Sequence, residues 1–229
     1  MNRELKSYNG RNASEPVPAV APLVLRNRIF YERMNRFFGG AMRVAFILLA
    51  ALLVIKGSLF ESYFIPTNSM LPTLRSSDFI LVSKLSYALR LPFIPGTIVS
   101  WSQPARGDVI VFHRENGRLN GLPGGTEYMV KRVIGVPGDS VQVKGASVYI
   151  NSELLQEPYA LWRPGGQRED FGPVQVPAGR VFVLGDNRDE SQDSRFWQDP
   201  FLDVDTIQGR AITVYWSSED RSRAFQSVR

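Results

Sequence analysis

The 229-residue chain contains no cysteine and a single histidine, His113. Without thiols it has no disulfide, no thiolate nucleophile and no Cys-based metal site. One imidazole is too few for the usual zinc-protease motifs, which need two. The folded part also lacks a charge excess of one sign. The net charge is +5. Up to Arg43 there are eight basic residues (Arg3, Lys6, Arg11, Arg26, Arg28, Arg33, Arg36 and Arg43) and three acids (Glu4, Glu15 and Glu32), an excess that equals the whole net charge. The rest is balanced, so a nucleic-acid footprint is not expected on the folded domain. With 44% hydrophobic and 21% charged residues, the chain has enough apolar material for one solid core.

Arg43 is followed by VAFILLAALLVI, then Lys56, then GSLFESYFI. Read from residue 43 to 64, the stretch is long enough to cross a bilayer at ~20 residues, with Lys56 snorkelling toward the headgroups. No small-x-small cleavage site follows promptly, which favours an uncleaved anchor over a removed leader. The basic flank precedes the apolar run. This predicts a cytoplasmic N-terminus (1–42) and an extracytoplasmic domain beyond residue 64, at the inner (plasma) membrane.

Past the anchor no long amphipathic helical pattern appears. Short β-rich runs alternate with Gly/Pro turns: 78–83, 108–112, 127–136, 139–144, 147–150, 180–185 and 209–216. QVKGASVYI predicts a hairpin turning at Lys144–Ala146, and PVQVPAGRVFV another at Pro177–Gly179. The fold expected for 65–216 is a mostly β, antiparallel domain, a folded sheet or partly open barrel. Irregular insertions are expected at 84–105, 113–126 and 152–178, and a polar tail at 217–229.

Three clusters carry possible chemistry. In PTNSMLPTL, prolines 66 and 72 restrict the backbone around Ser69. Such a rigid segment could present a hydroxyl, although taken alone it reads more simply as a plain turn with a solvated serine. A serine nucleophile needs a base. His113 opens a polar loop and would serve only in a Ser–His–Asp triad. Lys131 lies within EYMVKRVIGVPGD, where strand alternation sends Lys131 and Arg132 to opposite faces. One of these charges must therefore meet apolar surroundings unless the sheet edge is open, and a snorkelling or ion-paired lysine is the plainer reading of the pattern alone. Burial lowers a lysine pKa, and arginine has no such lever, so a desolvated Lys131 could be the neutral amine that a general base requires. The third cluster, GDNRDESQDSR, is a dense charged turn. It lacks the glycine and terminal glutamate of EF-hand spacing, which leaves a solvated loop or an ion-pair scaffold.

Taken together, these motifs resemble the bacterial type I signal peptidase family. Pro66–Leu74 is similar to its serine box, Arg106–Phe112 to its second box, Tyr128–Asp139 to its lysine box and Gly185–Arg195 to its last box, all in family order. The resemblance implies Ser69 as nucleophile and Lys131 as general base. It implies that the Thr67 hydroxyl and the Ser69 N–H stabilise the oxyanion, that Ser191 positions the lysine amine, and that Asp193 and Arg195 form a supporting ion pair. Thr67 stands where many relatives have serine, and Glu190 where relatives often have asparagine. The implied partners are exported preproteins, whose signal peptides carry small residues before the cut, and the lipid bilayer. No metal or cofactor is implied. Phe64, Ile65, Met70, Leu71 and Ile80 are candidates for the walls of the substrate pockets.

Two rival functions are a specialised pilin- or conjugation-type processing peptidase and an inactive anchored binding protein on the same scaffold. The presence of both Ser69 and Lys131 argues against the second. Self-cleaving repressors share the dyad, but the expected anchor and the lack of a DNA-binding region argue against that class.

Overall fold

The computed structural model describes residues 35, 37–49, 59–89, 99–116, 125–165 and 168–228. The chain divides into two units, Met1–Leu52 and Leu53–Arg229. In the first, residues 37–49 are helical. Among the described residues, no helix is long and apolar enough to cross a membrane. Residues 50–58, the middle of the expected anchor, lie outside the described residues, as does most of the basic tail.

The second unit is built from antiparallel strands. Its large sheet runs β1 (Phe60–Phe64), β2 (Asp78–Ser83), β13 (Ile207–Ser217), β5 (Val109–Asn116), β6 (Gly125–Gly135), β11 (Arg180–Leu184) and β12 (Leu202–Asp203), with β14 (Gln226–Ser227) paired to β13. The strand order is an open path with β1 at one edge. A second sheet runs β10 (Phe171–Gln175), β7 (Ser140–Lys144), β8 (Ser147–Ile150) and β9 (Glu153–Leu154). A short pair, β3 (Ala88–Leu89) with β4 (Val99–Ser100), stands apart.

Side-chain alternation explains which faces are covered. In β2, Ile80 and Val82 are fully buried and pack with Met70, Leu74, Val111 and Val214 in one cluster. After Arg180 the run VFVL of β11 is apolar throughout because both its faces are covered. Val181 and Val183 join Ile110, Phe112 and Val133, whereas Phe182 and Leu184 join Ile134 and the second sheet's Val141, Val143 and Val148. Strands β6 and β11 are thus the wall shared by two cores.

Four expectations are corrected. The anchor was expected to extend to residue 64, but Phe60–Phe64 is a strand in register with Phe79–Ser83; its alternating burial is strand-like, and pairing with β2 decides it. PVQVPAGRVFV is not a hairpin, because β10 pairs with β7 and β11 with β6, so its two halves enter different sheets. The expected polar loop at 113–126 is shorter, since β5 and β6 stay paired out to Asn116↔Gly125. The tail at 217–229 is folded onto the domain: β14 pairs β13, and Arg223 is buried against Asp78. The hairpin at Lys144–Ala146 forms, with Lys144 opposite Ser147.

Candidate active site

Ser69 sits in the tight connection between β1 and β2. The connection's ends are tied by the Ile65 N–H to the Asp78 carbonyl and the Ser77 N–H to the Ile65 carbonyl, both 2.9 Å. Inside it, the Leu74 N–H reaches the Met70 carbonyl at 2.9 Å, and the Asn68 side chain accepts from the Ser76 N–H at 3.0 Å. Met70 and Leu74 are buried and plug the turn into the core. Their burial holds the hydroxyl of the half-buried Ser69 in place. Lys131 lies midway along β6, opposite Ile110. Its residue is only 3% exposed, and its Nζ is 2.9 Å from Ser69 Oγ. The fold thus brings together two residues 62 positions apart in the sequence.

The loop after β11 holds the serine turn from the other side. The Asn187 N–H donates to the Ser69 carbonyl at 3.1 Å. The Asn187 Nδ2 donates to the Asn68 carbonyl at 3.0 Å and to Glu190 Oε2 at 2.8 Å. Gly185 fills the space between this loop and the turn. A Cβ there would lie 2.2 Å from Ser191 Oγ and 2.5 Å from the Ser69 carbonyl oxygen, so only hydrogen fits. Asn187, absent from the sequence-based site, is the main contact to the nucleophile's backbone. Its signal was faint, one of two amides, with Gln192, within a run of charges.

Both strand charges, not one, are buried. Arg132 is 1% exposed and forms a bidentate pair with the fully buried Asp186, through Nε at 2.8 Å and Nη2 at 2.6 Å. Asp186 Oδ2 also accepts from Thr73 Oγ1 at 2.5 Å, and Arg132 Nη1 donates to the Gly107 carbonyl at 2.8 Å. Tyr159 lies under the guanidinium, 3.9 Å from it. One ion pair therefore links all four boxes read from the sequence. A buried pair with both carboxylate oxygens hydrogen-bonded is costly to break from one side. Asp193 and Arg195 form the expected pair at 2.8 Å. Asp193 also accepts the Gly185 N–H at 3.0 Å, and Arg195 donates to the Arg188 carbonyl at 2.6 Å. Arg188 is itself paired with Glu157.

The other expected residues are placed as follows. Thr67 Oγ1 is 3.4 Å from Ser69 Oγ. Ser191 is buried beside Gly185, but its Oγ has no hydrogen-bond partner among the described residues, so an expected bond to Lys131 is not formed. Phe64, Ile65 and Met70 line the cleft around Ser69 and Lys131, together with Tyr63, Pro66, Thr67, Val111, Tyr128, Met129, Val130, Glu190 and Gln192. Leu71 and Ile80 do not line it; Ile80 is core. Burial, aided by the Glu61 carboxylate, pushes the Tyr63 phenol well above its ordinary pKa, so this cleft wall stays uncharged. His113 faces a different depression, with Arg114 and Asp199, and its Nδ1 is 2.9 Å from Gln208 Nε2. It cannot serve Ser69.

Residues 39–216 match the family model described as signal peptidase, peptidase S26. The chain belongs to this signal peptidase family. It is 34% identical to signal peptidase I of Pseudomonas aeruginosa, over 94% of this chain and 82% of that protein. It is 41% identical to signal peptidase I of Leptolyngbya laminosa, over 68% of each. It is 33% identical to signal peptidase I P of Bacillus subtilis subsp. natto, over 87% of this chain and 98% of that protein. The family match spans β1 to nearly the end of β13, and so takes in the serine turn, Lys131 and the loop from Gly185 to Arg195.

Proposed function

We propose that this serine endopeptidase removes N-terminal signal peptides from exported preproteins with Ser69 as nucleophile and Lys131 as general base. The observation that carries the reading is the 2.9 Å approach of Lys131 Nζ to Ser69 Oγ in a cleft with largely apolar walls. In the resting enzyme a neutral Lys131 amine takes the Ser69 proton as Oγ attacks the scissile carbonyl. The carbonyl oxygen becomes an oxyanion, stabilised by the Ser69 N–H and the Thr67 hydroxyl. The Lys131 ammonium then protonates the departing amine, which leaves the signal peptide as an ester on Ser69. The same amine next draws a proton from water as the water oxygen attacks the ester, and the ammonium hands that proton to Ser69 Oγ as the acyl bond breaks, which releases the peptide and restores both residues. Burial favours this cycle because it penalises the ammonium form. Ser191 supports the site by packing, and the Asp193–Arg195 pair fixes the loop that carries it.

Residues before 43 face the cytoplasm and the β domain works at the outer face of the inner membrane, a placement supported by the basic flank before the apolar run. The apolar lining from Ile65, Met70, Val111 and Val130 suits the small side chains that precede the cut in a signal peptide. The test is cleavage of a purified preprotein by the detergent-solubilised protein and by Ser69→Ala. Correct processing by the first and none by the second is expected; cleavage by a folded Ser69→Ala protein would sink the assignment.

A further inference from the structure

Glu190 is the only carboxylate among the described residues that line the catalytic cleft. An anionic group in a cleft that depends on an uncharged lysine is a physical conflict, since a nearby negative charge favours the ammonium. Glu190 is not left alone, however. Arg163 Nη2 forms an ion pair with Glu190 Oε1, while Asn187 donates to the other oxygen at 2.8 Å. Arg163 comes from the segment between β9 and β10, and its main chain is tied down at several points. Its N–H donates to Asp189 Oδ2 at 2.6 Å, and its carbonyl accepts from Arg168 Nη2. Two residues earlier, the Leu161 N–H reaches the Asp186 carbonyl at 2.7 Å, and the Arg188 N–H returns to the Leu161 carbonyl at 2.9 Å. The second sheet's excursion is thus stitched to the loop carrying Glu190, in a register that places the Arg163 guanidinium on its carboxylate.

We infer that Arg163 cancels the field of Glu190 at Lys131 and so sets the pH range in which the enzyme works. The inference rests on the Ser–Lys reading. Arg163 is a positioning residue: it acts through Glu190 and does not touch the reacting atoms. The other titratable groups of the cleft are Tyr63 from β1 and Tyr128 from β6. The charges packed close by are neutralised within their own pairs: Arg132 with Asp186, Arg195 with Asp193, Arg168 with Asp189, Arg188 with Glu157 and, beside Tyr63, Lys84 with Glu61. The Arg163–Glu190 pair is largely exposed, with side chains 57% and 40% accessible. It therefore adds little to folding stability, and its removal is a clean electrostatic perturbation.

The experiment is the pH profile of kcat/KM for signal-peptide cleavage by the full chain and by three variants at low ionic strength. Arg163→Gln leaves the carboxylate uncompensated and should move the acidic limb up by about 0.5–1 pH unit, the size a unit charge exerts at roughly 10 Å when solvent exposure raises the effective dielectric to ~25–50. Glu190→Gln leaves the guanidinium uncompensated and should move the limb down. The double variant should return it close to the wild-type position. An unmoved limb in Arg163→Gln would overturn the inference. So would a shift that persists undiminished in the double variant, because Arg163 would then act without Glu190. A wild-type profile with no acidic limb above the carboxylate range would instead fault the Ser–Lys reading itself, so the two failures are distinguishable.

Discussion

Gly185→Ala is the smallest change that strikes the site at its tightest contact. The added Cβ would sit 2.5 Å from the carbonyl oxygen of Ser69 and 2.2 Å from Ser191 Oγ. The first neighbour is backbone and the second a buried hydroxyl, so neither is the far end of a flexible side chain. Restoring an ordinary contact of 3.4 Å moves the serine turn and the last loop apart by nearly 1 Å. The Asn187 N–H bond to the Ser69 carbonyl spans the same gap and would stretch with it. A misplacement of about 1 Å at a catalytic group can cost on the order of 10²-fold in rate. Gly185→Ala should therefore lower kcat by roughly 10²-fold, with a smaller effect on KM because the apolar walls contributed by β1 and β6 are untouched. Single-turnover cleavage of a preprotein, beside a thermal melt to establish folding, reads this directly. A folded Gly185→Ala enzyme with wild-type kcat would refute the claim that the loop after β11 sets the position of Ser69.

Asp186→Ala strands the buried Arg132 guanidinium and should cost about 3–5 kcal/mol in denaturant unfolding; a loss under about 1 kcal/mol would show that the pair is not the link between the boxes. Thr67→Val should lower kcat by roughly 10²–10³-fold and Thr67→Ser should be nearly neutral, if the hydroxyl serves the oxyanion; an unchanged Thr67→Val rate would leave it only a turn residue. Burial alone would raise the Asp78 carboxyl, but hydrogen bonds from Arg223, the Arg75 N–H and Ser217 outweigh it and hold the group below its ordinary range. A lowered folded-state pKa gives stability that is present above the unfolded value of ~3.9 and lost as pH falls through the folded one. Asp78→Asn should therefore flatten the fall of Tm with pH below about 4, and an unaltered slope there would contradict that balance.

The local signals in the sequence carried far. Strand alternation placed β2 at its observed bounds and found the β7–β8 hairpin, since both depend on contacts close in sequence. The YMVKRV pattern pointed to a charge in apolar surroundings, and the structure buries Lys131 and Arg132 alike. The buried Arg132 guanidinium demands a counter-ion, and Asp186, just past the next buried strand, supplies it. What stayed hidden depends on long-range pairing. Nothing in PVQVPAGRVFV says that its halves join separate sheets. FESYF alternates like a strand, but its position after an apolar run masked that. The buried Arg223–Asp78 pair joins residues 145 positions apart, so the last segment looked like a tail. Asn187 acts through its backbone as much as its side chain, and backbone contacts leave no residue-type signature.

The central claim is that a neutral Lys131 activates Ser69, and the kinetics of Lys131→Arg test it most directly. The guanidinium keeps roughly the length of the side chain but stays protonated at any working pH, so it offers no neutral amine to take the Ser69 proton. The account predicts a wild-type kcat/KM whose acidic limb lies well below the ~10.4 of an ordinary lysine, and a folded Lys131→Arg protein that is inactive across the whole range. A Lys131→Arg enzyme that still processes preprotein would contradict it.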